Sequence, residues 1–271
     1  MKICLLGHSG FIGTNLLVGL RIGHEIILSD FRLDDRAGMA AFFSRHADFD
    51  LIIHAAGAVS GDAHSIMQSN LWGTFLLVES LKSQIKPFSM VFFSSGAVYG
   101  DVAAGHASLE TDPLVPVDFY GSSKKSAEDL LRVAAAIQGF GLTVLRLPST
   151  YGPSNVKGVL SRMMADADRS DEIKIFGRGQ ELRSFIDVRD VTSVALHLIG
   201  ISWSGTMNIS SDEYFTTEEL AHLVQKYIPA RITYHPGSNL LKRMMLDNSV
   251  MKTVTGLEPS FTLEGFLQGL P

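Results

Sequence analysis

The apolar run Ile3-Cys4-Leu5-Leu6 leads straight into Gly7-His8-Ser9-Gly10-Phe11-Ile12-Gly13, and no other feature narrows the possible folds as much. A glycine-punctuated turn at this place predicts a buried strand followed by a helix that opens near Phe11. Glycine permits the sharp turn and lets backbone N–H groups approach a phosphate with no Cβ between, while the helix turns its positive dipole end to the anion. Gly7, Ser9, Gly10, Phe11, Ile12 and Gly13 are therefore candidates for holding a dinucleotide pyrophosphate. Glycines so spaced also occur in ordinary strand-to-helix turns, so residues downstream decide between the two.

A second strand over 25–29 ends at Asp30, about twenty residues past the turn, where a ribose-binding carboxylate belongs. A carboxylate there accepts hydrogen bonds from the ribose diol and repels a 2′-phosphate, which points to NAD as cofactor. Arg32, with Arg36 near it, could pair with a 2′-phosphate if Asp30 turned away, and this keeps NADP open.

Strand-like runs recur at 51–54, 90–94 and 142–147, separated by amphipathic helical segments over 11–22, 39–46, 65–84 and 119–138. The alternation is that of an α/β fold, a Rossmann-type doubly wound parallel sheet with helices on both faces. Past Pro148 the pattern loosens into short elements, which reads as a smaller, discontinuous α/β substrate-binding cap. The expected division is 1–148 plus about 184–203 for the dinucleotide-binding domain, and 149–183 plus 204–271 for the cap.

Among 271 residues, 46% hydrophobic and 19% charged, nothing suggests disorder. A net charge of -5 offers no general attraction to nucleic acid or to an anionic membrane, so neither is an expected partner. The single cysteine, Cys4, excludes an internal disulfide and a cysteine-based metal site, and no metal ligands are assigned. With no apolar run of membrane-spanning length and no basic-then-apolar leader, the expected compartment is cytoplasmic.

Tyr120-Gly121-Ser122-Ser123-Lys124 places a phenol and an ammonium four residues apart, on one face at the start of a helix. Ser95 closes the strand before it, and adjacent parallel strands would carry its hydroxyl beside the phenol. A free tyrosine has a pKa of about 10, and a neighbouring ammonium together with an oxidised nicotinamide would favour the phenolate. Ser95, Tyr120 and Lys124 are the candidate catalytic residues: Tyr120 exchanges the carbinol proton, Ser95 bonds the same oxygen, and Lys124 holds the ribose and lowers the tyrosine pKa.

With these motifs the chain resembles the extended short-chain dehydrogenase/reductase family of nucleotide-sugar epimerases, dehydratases and ketoreductases. Gly7-x-x-Gly10-x-x-Gly13 is similar to the family's phosphate turn, His54-Ala55-Ala56-Gly57 to its cofactor-lining strand end, and Asn70-Leu71-Trp72-Gly73-Thr74 to its central helix. Ser95 with Val98-Tyr99-Gly100, Tyr120 with Lys124, and Leu145-Arg146-Leu147 through Tyr151-Gly152-Pro153 follow in family order. The resemblance implies that Ala55, Ala56, Gly57, Asn70, Ser94, Leu147 and Pro148 join Tyr120 and Lys124 around the cofactor. It also implies a homodimer packed through the helices at 65–84 and 119–138. His54 and Tyr99 read as packed residues outside the catalytic set.

The run from Gly177 to Val188 resembles the family segment that meets the diphosphate of a nucleotide-sugar. Arg183 is its candidate fork for the diphosphate, the alternative being an ion pair to Asp187 or Asp190. Arg243 is a second candidate, Ser149 stands where the family carries asparagine, and Phe176 could lie against the base. Ser95, Ser149, Arg183 and Arg243 form the expected substrate site, and an aromatic beside a turn such as Phe176 is more often simply packed. Sugar 4,6-dehydratases of the family carry an acidic pair directly after the active-site hydroxyl, whereas Gly96 and Ala97 have no proton to move. The resemblance therefore implies an NAD(P)-dependent enzyme acting at C4 of a nucleotide-activated hexose, an epimerase first and a 4-keto-6-deoxyhexose 4-ketoreductase as alternative. Reduction of a hydrophobic ketone would require a structural Arg183, and a non-catalytic dinucleotide sensor would have no use for Ser95, Tyr120 and Lys124.

Overall fold

Strands buried along most of their length belong inside a parallel sheet covered on both faces, with a half-exposed one at its edge. The first half of the chain supplies them in alternation with helices: β1 (Lys2–Leu6), α1 (Phe11–Leu20), β2 (Glu25–Leu28), α2 (Arg36–Arg45), β3 (Leu51–His54), α3 (Ala63–Met67), α4 (Gly73–Leu81), β4 (Ser89–Ser95), α5 (Phe119–Gln138) and β5 (Gly141–Leu147). There follow β6 (Ser149–Tyr151), α6 (Val159–Ser170), β7 (Glu172–Phe176), β8 (Leu182–Asp187), α7 (Val188–Gly200), β9 (Gly205–Asn208), β10 (Tyr214–Thr216), α8 (Thr217–Tyr227), β11 (Arg231–His235), β12 (Arg243–Met244), α9 (Ser249–Thr255) and α10 (Leu263–Gln268). The structure, a computed structural model, describes residues 1–237 and 242–270.

Six strands form one parallel sheet in the order β2-β1-β3-β4-β5-β9. The strand order reverses at β1, and a crevice beyond the carboxyl ends of β1 and β3 is the expected ligand position in such a sheet. One face packs on α1, α7 and α9 through Leu16, Leu20, Val191, Leu198 and Met251. The other packs on α2, α4 and α5 through Met39, Phe42, Leu77 and Leu131. A third core, with Met163, Ile175, Phe185 and Leu220 at its centre, belongs to the smaller unit. That unit holds a mixed sheet, β10-β8-β12 with β6 also paired to β8, and a separate β11-β7 pair.

Two segments differ from the sequence expectation. The stretch 184–203 does not return a strand to the main sheet: its strand β8 pairs with β6, β10 and β12 in the smaller sheet. What returns to the main body is helix α7, and the sixth strand of the main sheet is β9, from the stretch assigned to the cap. Helix α9 also packs there through Met251, so 204–271 divides between the two units. The helix expected over 65–84 is interrupted by a π-helical turn, Gln68–Trp72, between α3 and α4. Among the described residues no helix is long and apolar enough to cross a membrane.

Candidate active site

The turn after β1 is built to receive an anion. Gly7 has φ +82°, and a Cβ there would lie 2.6 Å from the Ala56 nitrogen, while one on Gly13 would overlap the Gly7 carbonyl. Only glycine permits that backbone conformation and this close seating of α1 against the turn. Gly10 caps α1 without a side-chain hydrogen bond, so the first N–H groups of the helix stay open. A crevice of about 410 Å³ lies against this turn, walled by Gly7 to Ser9, Ser29, 31–34 and 56–58. Nδ1 of His8 in that wall is buried with no hydrogen-bond partner. The glycine cradle, the open helix end and this orphaned nitrogen all fit a dinucleotide.

Of the residues predicted for the cofactor, Gly7, Ser9, Arg32, Ala56 and Gly57 line the crevice. Gly10 and Gly13 shape the turn, and Phe11 opens α1. Ile12, Ala55 and Leu147 pack on the main core, and Pro148 is buried after β5. Asp30 is exposed and pairs at 2.9 Å with Arg45 of α2, while Arg32 holds Asp34 at 3.1 Å. Asn70 does not face the crevice directly: Oδ1 accepts from the Ala58 N–H at 2.7 Å, and Nδ2 donates to the Ala58 carbonyl and to Ser123. It sits in the π-helical turn and clamps the loop that follows β3. Ser94 also departs from expectation, since its hydroxyl donates to buried Glu128 of α5, one turn past Lys124.

Ser95, Tyr120 and Lys124 come together at the carboxyl end of β4 and the start of α5. Asp118 caps α5 by accepting from the Gly121 N–H at 2.7 Å, which fixes Tyr120 in the first turn. A Cβ on Gly121 would run into the Ala97 carbonyl, so glycine lets α5 seat directly on the loop after Ser95. Burial raises the Tyr120 pKa, the adjoining Ser95 side chain opposes this, and the charge of Asp118 adds to it. Lys124 Nζ turns to the Phe93 carbonyl at 2.6 Å and lies 4.4 Å from the Phe92 ring centre. Burial pushes this ammonium down to about 8, with Glu128 opposing. Lys124 is thus held behind the phenol, and the groups that act on Tyr120 in the chain alone are Ser95 and Asp118.

A second cavity, also about 410 Å³, opens in the smaller unit, and Ser149, Phe176 and Arg183 line it. The alternative partners of Arg183 are occupied elsewhere. Asp187 is bonded to Arg189 at 2.8 Å, and Asp190 accepts from the Ser260 and Phe261 N–H groups. Arg183 has no ion pair among the described residues, and burial lowers its pKa. It also feels the charge of Asp118, the cap of α5 two residues before Tyr120. Arg243 is not in this lining: it is paired in register with Leu182, and its N–H donates to Asp101 at 2.6 Å. The sequence reading missed Arg162, Asp166 and Lys174, which do line it. The available signal was the spacing of Val159, Arg162, Met163 and Asp166, which puts two charges on one face of α6, beside its buried Leu160, Met163 and Ala167.

The profile of the family described as "NAD dependent epimerase/dehydratase family" matches residues 3–209. The chain belongs to this family. GDP-mannose 3,5-epimerase 1 of Oryza sativa subsp. indica is 25% identical over 304 residues, spanning 99% of this chain and 80% of that one. In structure, the Thermus thermophilus UDP-glucose 4-epimerase complexed with NAD is similar with a TM-score of 0.90 and 22% identity, covering 99% of this chain and 97% of that chain. RMD from Pseudomonas aeruginosa, complexed with NADPH, is similar with a TM-score of 0.86 and 24% identity, covering 98% and 96%. The protein is thus an enzyme of the NAD dependent epimerase/dehydratase family, whose relatives modify nucleotide-sugars.

Proposed function

We propose that this enzyme is an NAD-linked nucleotide-sugar epimerase acting at C4 of the hexose. The observation that carries the reading is the half-buried Arg183 guanidinium, unpaired among the described residues, in a cavity of the smaller unit and within reach of the charge of Asp118. A planar fork without an internal partner suits a diphosphate, and a protein of net charge -5 must supply such charge locally. With the diphosphate held there, the hexose extends toward Ser95 and Tyr120.

The bound nicotinamide supplies a two-electron acceptor and donor of hydride. Tyr120 takes the proton of the C4 hydroxyl and returns it, acting first as base and then as acid. Ser95 hydrogen-bonds the same oxygen and keeps it facing the phenol. Lys124 would hold the ribose hydroxyls of the cofactor, and its ammonium would favour the phenolate of Tyr120. Elimination of water has no support here, because Gly96 and Ala97 are buried and a Cβ on Gly96 would lie 3.0 Å from Leu246 Cδ2. A carboxylate pair has neither place nor room there.

NAD is favoured over NADP because the fork of Arg32 is already taken by Asp34, and a 2′-phosphate would add charge beside Asp30 and Asp34. The solved relatives include both an NAD and an NADPH complex. Exposed Phe119, Val133 and Ile137, aligned at 3.6 residues per turn on one face of α5, support a homodimer contact there.

Denaturing the purified enzyme and measuring released NAD tests the reading. Stoichiometric NAD supports an epimerase that keeps its cofactor. A protein that releases none, and consumes reduced cofactor only with a nucleotide 4-keto-6-deoxyhexose, is the ketoreductase instead. One that does neither is a dinucleotide sensor.

A further inference from the structure

The second cavity holds more charge than a diphosphate requires. Arg183 and Arg162 supply the cations, which leaves Asp166 and Lys174 over. Asp166 lies one turn beyond Arg162 on the same face of α6, about 6 Å further along the helix axis. Lys174 stands two residues before Phe176 on β7, on the same side of that strand. Although they share one cavity, Asp166 and Lys174 form no ion pair with each other or with any described residue. A carboxylate in an anion-binding cavity weakens binding of the anion unless it accepts hydrogen bonds from another part of the ligand.

Nucleobases differ in what they can give it. Guanine presents N1–H and its 2-amino group side by side, a matched pair of donors for one carboxylate, and carries O6 and N7 as acceptors for an ammonium. Uracil and thymine place a single N–H between two carbonyl oxygens that repel a carboxylate. Adenine and cytosine set an amino group beside a bare ring nitrogen, which does the same. Phe176, 54% exposed at the cavity wall, offers a face on which a base can stack.

We propose that the cavity selects a guanosine diphosphate-hexose, with Asp166 accepting from N1–H and the 2-amino group, Lys174 donating to O6 or N7, and Phe176 stacking on the ring. The assignment rests on the nucleotide-sugar reading above and specifies the base.

Calorimetric titration of the full chain, saturated with NAD, with GDP, UDP, dTDP and ADP in turn separates the two claims. GDP is expected to bind at least about tenfold tighter than the others. In Asp166→Ala that advantage disappears through loss of GDP affinity, while UDP affinity holds or rises. Equal or tighter binding of UDP or dTDP to the wild type overturns the guanine assignment and leaves the nucleotide-sugar reading standing. A GDP preference that survives both Asp166→Ala and Lys174→Ala overturns the roles given to these residues. Failure of every nucleoside diphosphate to bind overturns the nucleotide-sugar reading itself. Asp166 has no side-chain partner to lose, so thermal unfolding of Asp166→Ala is expected to match the wild type and shows that the variant is folded.

Discussion

Glu128 follows Lys124 by one turn of α5 and grips the Arg146 guanidinium with both carboxylate oxygens, Oε1 to Nε at 3.1 Å and Oε2 to Nη2 at 2.8 Å. The same carboxylate accepts from Ser94 beside the catalytic Ser95, and from Arg132 at 2.7 Å. Arg146 reaches on to the Tyr99 hydroxyl at 2.7 Å, and Tyr99 donates to Asn208 of β9 at 2.8 Å. A continuous polar chain thus ties α5, β4, β5 and β9 together behind the candidate site. Removing one partner of a buried pair leaves the other charge uncompensated, whereas removing both does not.

Glu128→Gln is therefore expected to destabilise the protein by about 3–5 kcal/mol. The apolar double variant Glu128→Leu/Arg146→Met is expected to lose far less. Urea denaturation of the three proteins measures both. A single variant as stable as the wild type would show that the pair is not holding the elements together.

Burial sets Lys124 at about 8, below its ordinary 10.5. Between those values the unfolded chain binds a proton that the folded protein does not, so the lysine's contribution to stability rises with pH across that window. In protein freed of cofactor the stability difference between wild type and Lys124→Met is expected to shift in favour of the wild type from about pH 8 to about pH 10.5. Chemical denaturation at stepped pH reads this out. A flat difference would place the ammonium in solvent.

Tyr120→Phe removes one proton and almost no contact area. Turnover is expected to fall by about 10²- to 10⁴-fold, with cofactor affinity unchanged. Steady-state rates together with fluorescence titration of reduced cofactor separate the two effects. Full activity in this variant would remove the phenol from the mechanism.

The ion pairs at the crevice rim make cofactor choice adjustable. Wild type is expected to bind NADH more tightly than NADPH, and Asp34→Ala, by releasing the Arg32 fork, to raise NADPH affinity selectively. Fluorescence titration with both cofactors decides this. Tighter NADPH binding by the wild type would reverse the assignment.

Much of the main sheet could be read from local signals. The run Leu51–His54 is apolar up to its last residue and buried at every position, as a central parallel strand must be, and Gly7 and Gly13 are where a Cβ cannot fit. What escaped the sequence reading depends on partners distant in the chain. Leu182–Asp187 has the composition of any core strand, and only its pairing with β6, β10 and β12 puts it in the smaller sheet. Asp30 has the right spacing for a ribose contact, but nothing local shows that Arg45 meets it. Ser94 faces Glu128 because side chains alternate along β4, whereas a motif names neighbouring residues together without saying which side each faces. Arg162, Asp166 and Lys174 gain their significance only when α6 and β7 close one cavity around Arg183.

Following deuterium from C4 of a nucleotide-activated hexose into the nicotinamide tests the proposed chemistry most directly. Wild type and Tyr120→Phe are each mixed with NAD and the labelled sugar, quenched within one turnover, and the recovered cofactor is weighed by mass spectrometry. Deuterium is expected on the nicotinamide from the wild type and almost none from the variant. Conversion of the sugar by the wild type with the nicotinamide left unlabelled would contradict the proposed chemistry.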